Sequence, residues 1–272
     1  MKQPVSAFLV TAAAVAGLSG LFASPVAAQT RMSLVTIPES IPAVRPDGSI
    51  STPDRPGFRV EVLRAAGKSC NATVSFVPAP WQRAMELVKS GTVDGAFSAS
   101  WSEERETFGA FPVKNGTPDP AKAMKGYSYS LFVHPDSKLR WDGKAVTGSE
   151  RKVIVERGSA GIALATRLGL EPVEASGYAN MVRMLVEKRA QGLVAVDVHV
   201  DRVLADDPRL GSSVKELQPA LEAKHGYVMF GKPYYQANKA LVECFWKSLA
   251  EIRAKPAYKE LVRSYNNGEF VE

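Results

Sequence analysis

Histidine and cysteine are scarce in this 272-residue sequence, which has three of the first and two of the second. His134, His199 and His225 stand at no spacing that holds a metal, so metal catalysis lacks its usual ligands. Neither Cys70 nor Cys244 has the basic or glycine-rich surroundings of a nucleophile, and no GxSxG turn is present. No glycine-rich phosphate loop follows a strand either, so a nucleophilic hydrolase and a nucleotide enzyme are both unsupported. No catalytic residue, metal or cofactor is expected. A basic stripe is also missing. The net charge is +6, but the basic residues lie beside acids, as in Glu150-Arg151-Lys152 and Glu187-Lys188-Arg189, which argues against nucleic acid as a partner.

What is present is an ordinary globular composition, with 45% hydrophobic and 23% charged residues. At this length two lobes sharing a cleft are as natural as one large domain. Lys2 precedes an apolar run from Val5 to Ala23, followed by the small-residue turn Ser24-Pro25-Val26-Ala27-Ala28. This reads as a secretory signal peptide over residues 1–28, cleaved after Ala28, and so predicts a periplasmic protein. Gly17, Ser19, Gly20 and Pro25 make the run a poor membrane span, and no later run approaches the required length of about 20 residues. In an oxidising compartment Cys70 and Cys244 are either a disulfide closing a long loop or two buried thiols, and the sequence leaves both open.

The rest of the chain alternates strands with helices, the pattern of α/β layers with a largely parallel sheet. Strands are expected at Ser33–Thr36, Thr73–Val77 and Val93–Phe97, with helices at Phe58–Ala66 and from Trp81 to about Gly91. The stretch Pro38–Pro56 reads as loop. A turn-rich break around Asn115-Gly116 ends this first unit. Strands then resume at Tyr127–Val133, Lys152–Val155, Pro172–Glu174 and Leu193–Val198, with helices at Ile162–Leu168 and Tyr178–Arg189. A strand at Tyr227–Phe230 and two helices close the chain. Two lobes follow from this order, residues 29–115 with 226–272 and residues 126–222.

Two polar groupings stand at strand ends, where α/β sheets open onto their ligands. One is Ser98-Ala99-Ser100-Trp101-Ser102-Glu103-Glu104-Arg105, whose hydroxyls and guanidinium can hold a carboxylate. Read blandly, Ser102 caps a short helix and Arg105 belongs to its solvated first turn. The other is Gly158-Ser159-Ala160, where a helix N-terminus favours an anion; a plain strand-to-helix turn is the alternative.

The segments PGFRVEVLRAAG (56–67), VPAPWQRAMELVKSGTVDGAFSASWSEERETFGAFP (77–112) and VIVERGS (153–159) resemble the extracellular solute-binding proteins of family 3, the polar amino acid class of ABC-transporter receptors. The resemblance implies a type II periplasmic binding protein fold, α/β with two lobes closing on a ligand cleft. It places Arg105 as the carboxylate clamp, with Ser98 and Ser100 beside it, Ser159 in the second-lobe turn and Trp81 as a stacking aromatic. At an open cleft Arg105 would be solvated and add little to folding. For a ligand ammonium the resemblance offers an acid after a late strand, Asp197 or Asp201. Its partners would be a small-molecule ligand and an inner-membrane ABC permease, the chain itself being monomeric. Enzymes on the same scaffold, such as cyclohexadienyl dehydratases, place a catalytic acid in the cleft, for which Glu39 or Asp197 is available. A sensory or accessory module is the third reading.

Overall fold

The computed structural model describes Met1 and residues 29–266, so the signal peptide expected over 1–28 lies outside the described residues. The chain opens with β1 (Thr30–Thr36), then a loop holding a single 3-10 turn at Pro38–Ser40. Next come α1 (Phe58–Ser69), β2 (Ala72–Pro78), α2 (Trp81–Lys89), β3 (Gly95–Ala99) and α3 (Glu103–Glu106). Short β4 (Gly109–Ala110) and a hairpin of β5 (Val113–Lys114) and β6 (Thr117–Pro118) follow.

The second half starts with β7 (Tyr127–Val133) and a small hairpin of β8 (Arg140–Trp141) and β9 (Val146–Thr147). It continues through β10 (Lys152–Glu156), α4 (Ala160–Arg167), β11 (Glu171–Ala175), α5 (Tyr178–Val186) and β12 (Gly192–Val196). After α6 (Asp197–Asp206) and β13 (Lys215–Lys224), β14 (Tyr227–Gly231) leads into α7 (Lys232–Ala237), α8 (Lys239–Ala254) and α9 (Pro256–Asn266).

Two five-stranded sheets result, β2-β1-β3-β14-β4 and β11-β10-β12-β7-β13. They share one plan. Three parallel strands, with the first in sequence central, are joined on one side by an antiparallel strand that arrives from the other half of the chain. The expectation of largely parallel sheets is thereby corrected to mixed sheets: β14 and β7 each pair antiparallel with both neighbours. β14 comes directly from the other sheet and β7 follows the first unit, so neither is joined to its sheet neighbours by the helical crossover that a parallel pair needs.

The chain therefore crosses between sheets twice, between β4 and β7 and between β13 and β14. The first sheet packs its outer face on α1 and α8, where Leu34, Val60, Leu63, Phe97, Phe245 and Trp246 are buried together. The Trp246 indole N–H donates to Val228 O at 2.7 Å and fixes α8 to β14. Cys70, the cap residue of α1, and Cys244 in α8 are joined by a disulfide with Cα atoms 6.0 Å apart. The second core surrounds β7, β10 and β12, and it continues across to Val35, Ala96 and Tyr227 of the first sheet and to Trp81 of α2, so the lobes face each other through a packed seam.

Beyond the short strands β4, β5, β6, β8 and β9 and the helix α7, which the sequence does not mark, three longer elements depart from the sequence expectation. Strand β12 stops at Val196, two residues early, and α6 begins at Asp197. Val196-Asp197-Val198-His199-Val200 alternates apolar and polar like a strand, yet the side chains that α6 buries, His199, Val200 and Val203, follow the helical spacing. Strand β13 was unmarked because Pro219 interrupts it. Its ladder with β7 breaks between Leu217 and Glu222, which an edge strand tolerates. Strand β3 starts at Gly95, two residues late, because the Asp94 carboxylate is engaged by the Ser33 amide and hydroxyl at 2.7 and 2.8 Å.

Candidate functional site

The carboxyl ends of the parallel strands in both sheets point at one cavity. Thr36 ends β1, Ser98 lies at the end of β3, Glu156 ends β10 and Val196 ends β12, and all four line a space of about 460 Å³ counted with its mouth. Ser98 holds φ at 60°, a left-handed conformation uncommon outside glycine, at the point where the chain leaves the sheet for α3.

From there Ser102 caps α3 by accepting from the Arg105 amide at 3.2 Å, as the bland reading of this segment has it. The functional reading is compatible, because the Arg105 side chain turns inward. Its Nη1 donates to Ser100 O at 2.9 Å and to Ser100 Oγ at 2.8 Å, and its guanidinium carbon stands 5.3 Å from the centre of the Trp81 ring. Arg105 is only 7% exposed, so the expectation of a solvated arginine is corrected. Two hydrogen bonds to Ser100 and the indole face hold it inside. Ser100 lies beneath the guanidinium rather than on the cavity wall, whereas Trp81 lines the wall. Among the described residues the buried Trp81 Nε1 has no hydrogen-bond partner.

The second sheet supplies the opposite wall. Ser159 caps α4, accepting from Gly161 N at 3.2 Å, and Gly158 O accepts from Arg105 Nη2 at 3.3 Å across the seam. Gly158 has φ of +70° and sits so close to α2 that an added Cβ would lie 3.2 Å from Gln82 Cα. A second contact across the seam joins Glu39 Oε1 to the Tyr178 amide at 3.0 Å, a carboxylate on the N-terminus of α5.

Four of the expected residues, Trp81, Ser98, Arg105 and Ser159, thus meet around one cavity, with Ser100 supporting the arginine. Asp197 does not join them. It starts α6 directly after β12, its Oδ1 accepting from the Val198 amide at 2.7 Å, and it lines another crevice with Lys125, Lys224 and His225.

Sequence reasoning missed Glu156, Tyr127, Tyr129 and Tyr178, which line the same cavity. Glu156 is the residue before Arg157 in the VIVERGS segment, and a glutamate closing an otherwise apolar strand was the available signal. Burial, reinforced by the nearby Glu39 carboxylate, pushes its carboxyl up to about 8, against smaller opposing effects of the Tyr178 hydroxyl and Arg105. Tyr178 Oη donates to Glu156 Oε2 at 3.4 Å. Burial also drives the phenols of Tyr127, Tyr129 and Tyr178 upward, keeping them protonated donors. His199, stacked edge-on against Tyr178 with ring centres 4.8 Å apart, is pushed down to about 3 by burial and by Arg59 and Arg202, and is neutral. The site is therefore a hydroxyl-rich chamber, open at its mouth, with a fixed guanidinium and no metal-type cluster among the described residues.

Two α/β lobes with mixed sheets, crossed twice by the chain and enclosing such a chamber, define the fold of periplasmic binding proteins. Solved structures agree. A histidine kinase sensor domain with similarity to periplasmic binding proteins superimposes with a TM-score of 0.68 at 21% identity, covering 90% of this chain and 99% of that one. An ancestral arginine-binding protein bound to arginine gives 0.66 at 17% identity, over 87% and 98%. Holo ArgBP from T. maritima gives 0.62 at 15%, over 87% and 96%. No curated protein matches the sequence. The profile of the bacterial extracellular solute-binding proteins, family 3, matches residues 45–268, and the chain belongs to that family. Among the described residues no helix is long and apolar enough to cross a membrane.

Proposed function

We infer that this chain captures a small carboxylate-bearing polar solute between its lobes and presents it to an inner-membrane ABC permease. It acts in the periplasm as a monomer without cofactor, after removal of residues 1–28. The lobes of this reading are residues 29–115 with 226–272, and residues 126–222, joined by the two crossings. Arg105 clamps the carboxylate, Ser159 and the first amides of α4 meet it from the other lobe, and Trp81 and Ser98 flank it. Asp197 has no part in the chamber.

The observation that carries this reading is the hydrogen bond from Arg105 Nη2 to Gly158 O. It brings the one guanidinium held at the end of β3 against the N-terminus of α4, so that an anion placed there is met by donors from both lobes. Family membership supports the transporter partnership. Family membership favours binding over catalysis, and the two acids the resemblance offered an enzyme, Glu39 and Asp197, do not line the chamber, although Glu156 does. Glu39 holds the Tyr178 amide and Asp197 the Val198 amide. The test is mass spectrometry of the solute that accompanies the protein from its native periplasm and is released on denaturation. A small carboxylic acid approaching one per chain is expected, and a solute without any carboxyl group would overturn the reading.

A further inference from the structure

A second cavity, of about 950 Å³ counted with its mouth, opens where the chain passes between the sheets. The first crossing lines it with Met124, Lys125 and Gly126, and the end of β13 with the crossing after it adds Ala223, Lys224 and His225. These two stretches run side by side. The Met124 amide donates to Gly226 O at 2.7 Å, and a Cβ on Gly126 would stand 2.9 Å from Lys224 O. Arg253, in the last turn of α8, reaches the cavity from the first lobe, and Asp197, at the start of α6, from the second. Arg59 and Tyr127 belong to its wall and to that of the solute chamber.

Four cationic side chains, Arg59, Lys125, Lys224 and Arg253, therefore line a space that holds one carboxylate, Asp197, whose Oδ1 already accepts from the Val198 amide. Lys224 Nζ donates to Glu222 Oε1 at 2.6 Å, but the same carboxylate accepts from Arg167 Nη2 at 2.6 Å and so balances only one of two cations. Arg253 adds an independent sign. Its Nε is buried and, among the described residues, has no hydrogen-bond partner. A cation in the last turn of a helix is favoured by the helix dipole, yet that attraction leaves a buried N–H without an acceptor. An oxyanion among Arg253, Lys125 and Lys224 supplies one. A guanidinium fork matches two oxygens of such an ion, and the ammonium groups add point charges that favour a doubly charged one.

We propose that this crevice on the crossings is a second binding site, taking a small dianion of the phosphate class that ties both crossings to α8 through Lys125, Lys224 and Arg253.

Inorganic phosphate titrated calorimetrically against the full chain, with ionic strength held constant by sodium chloride, should bind at one per chain with a dissociation constant below about 1 mM. Arg253→Gln should weaken this at least tenfold, and Arg253→Lys should recover part of the loss by restoring the charge without the fork. Lys224→Gln, on the other side of the crevice, should also weaken it and gives a second reading should the Arg253 variants fail to fold by circular dichroism. Arg105→Ala, which changes the chamber alone, should leave phosphate affinity within about twofold of wild type. Phosphate binding that is lost in Arg105→Ala and kept in Arg253→Gln would put the anion in the chamber and overturn the assignment. No response to phosphate would overturn it too, and if vesicles containing phosphatidylglycerol then bound the wild type and not Arg253→Gln, the crevice would belong to a lipid surface instead.

Discussion

Glu156 and His199 share one buried chamber, and burial moves them in opposite directions along the pH scale. Glu156 holds its proton up to about pH 8 in the folded chain, whereas an unfolded glutamate releases it near 4.5. The unfolded chain therefore binds fewer protons between those values, and folding loses about 1.4 kcal/mol per pH unit as pH rises through that window. His199 stays neutral down to about pH 3 while the unfolded ring takes a proton below 6.5, so its contribution is lost as pH falls through that range. In thermal melts across pH 5 to 8, Glu156→Gln should gain stability relative to wild type as pH rises. Melting curves that shift in parallel at every pH would show that Glu156 titrates normally.

Arg105 also has a structural consequence at this scale. Its two hydrogen bonds to Ser100 are buried, so Arg105→Ala leaves the Ser100 carbonyl without that donor, costing roughly 1 to 3 kcal/mol of stability even without solute. A denaturant titration of the empty protein measures this, and a loss below about 0.5 kcal/mol would mean the arginine stands out in solvent.

At the scale of elements, the seam depends on close approach between α2 and the turn before α4. Gly158→Ala forces a Cβ against Gln82 and a side chain into a left-handed conformation, so the lobes cannot meet as closely. Solute affinity should fall at least tenfold with the fold intact by circular dichroism; unchanged affinity would place the solute elsewhere. Glu39→Gln removes the charge from the N-terminus of α5 and should speed solute release several-fold in stopped-flow measurements. An unaltered release rate would show that this contact does not hold the lobes together.

The same scale explains what was legible in the sequence. Strands such as Tyr127–Val133 and helices opening at Phe58 and Trp81 carry local signals of apolar period and glycine stops, and they were placed to within a few residues. Arg105, Ser98 and Ser159 were readable because they leave strand ends directly. Glu156, Tyr129 and Tyr178 were not, since an acid inside an apolar strand and aromatics at helix and strand positions look like core until the sheets face each other. Asp197 enters the expected site through the family resemblance, as an acid after a late strand, and the structure puts it at the start of α6 outside the cavity lining.

For the whole molecule, the disulfide ties α1 to α8 and closes a loop of 174 residues that runs through both lobes. On chain-entropy grounds its reduction should lower stability by roughly 2 to 5 kcal/mol. Melts with and without a reductant that leaves the folded chain intact check this, and an unchanged transition would assign the pair no structural part. Two crossings between the sheets make a hinge, and the chamber is walled by both lobes. Small-angle scattering should show a smaller radius of gyration with saturating solute than after its removal, and identical curves would contradict closure.

The central claim is that Arg105 grips a carboxylate between the lobes. Calorimetric titration of the identified solute against wild type, Arg105→Lys and Arg105→Ala tests it most directly. The Ala variant should lose roughly 3 to 5 kcal/mol, about two to four decades of affinity, because the buried carboxylate keeps no partner. The Lys variant should recover only part, keeping the charge but not the two-pronged contact. An affinity in Arg105→Ala within about twofold of wild type, on the order of 0.4 kcal/mol, would contradict the claim.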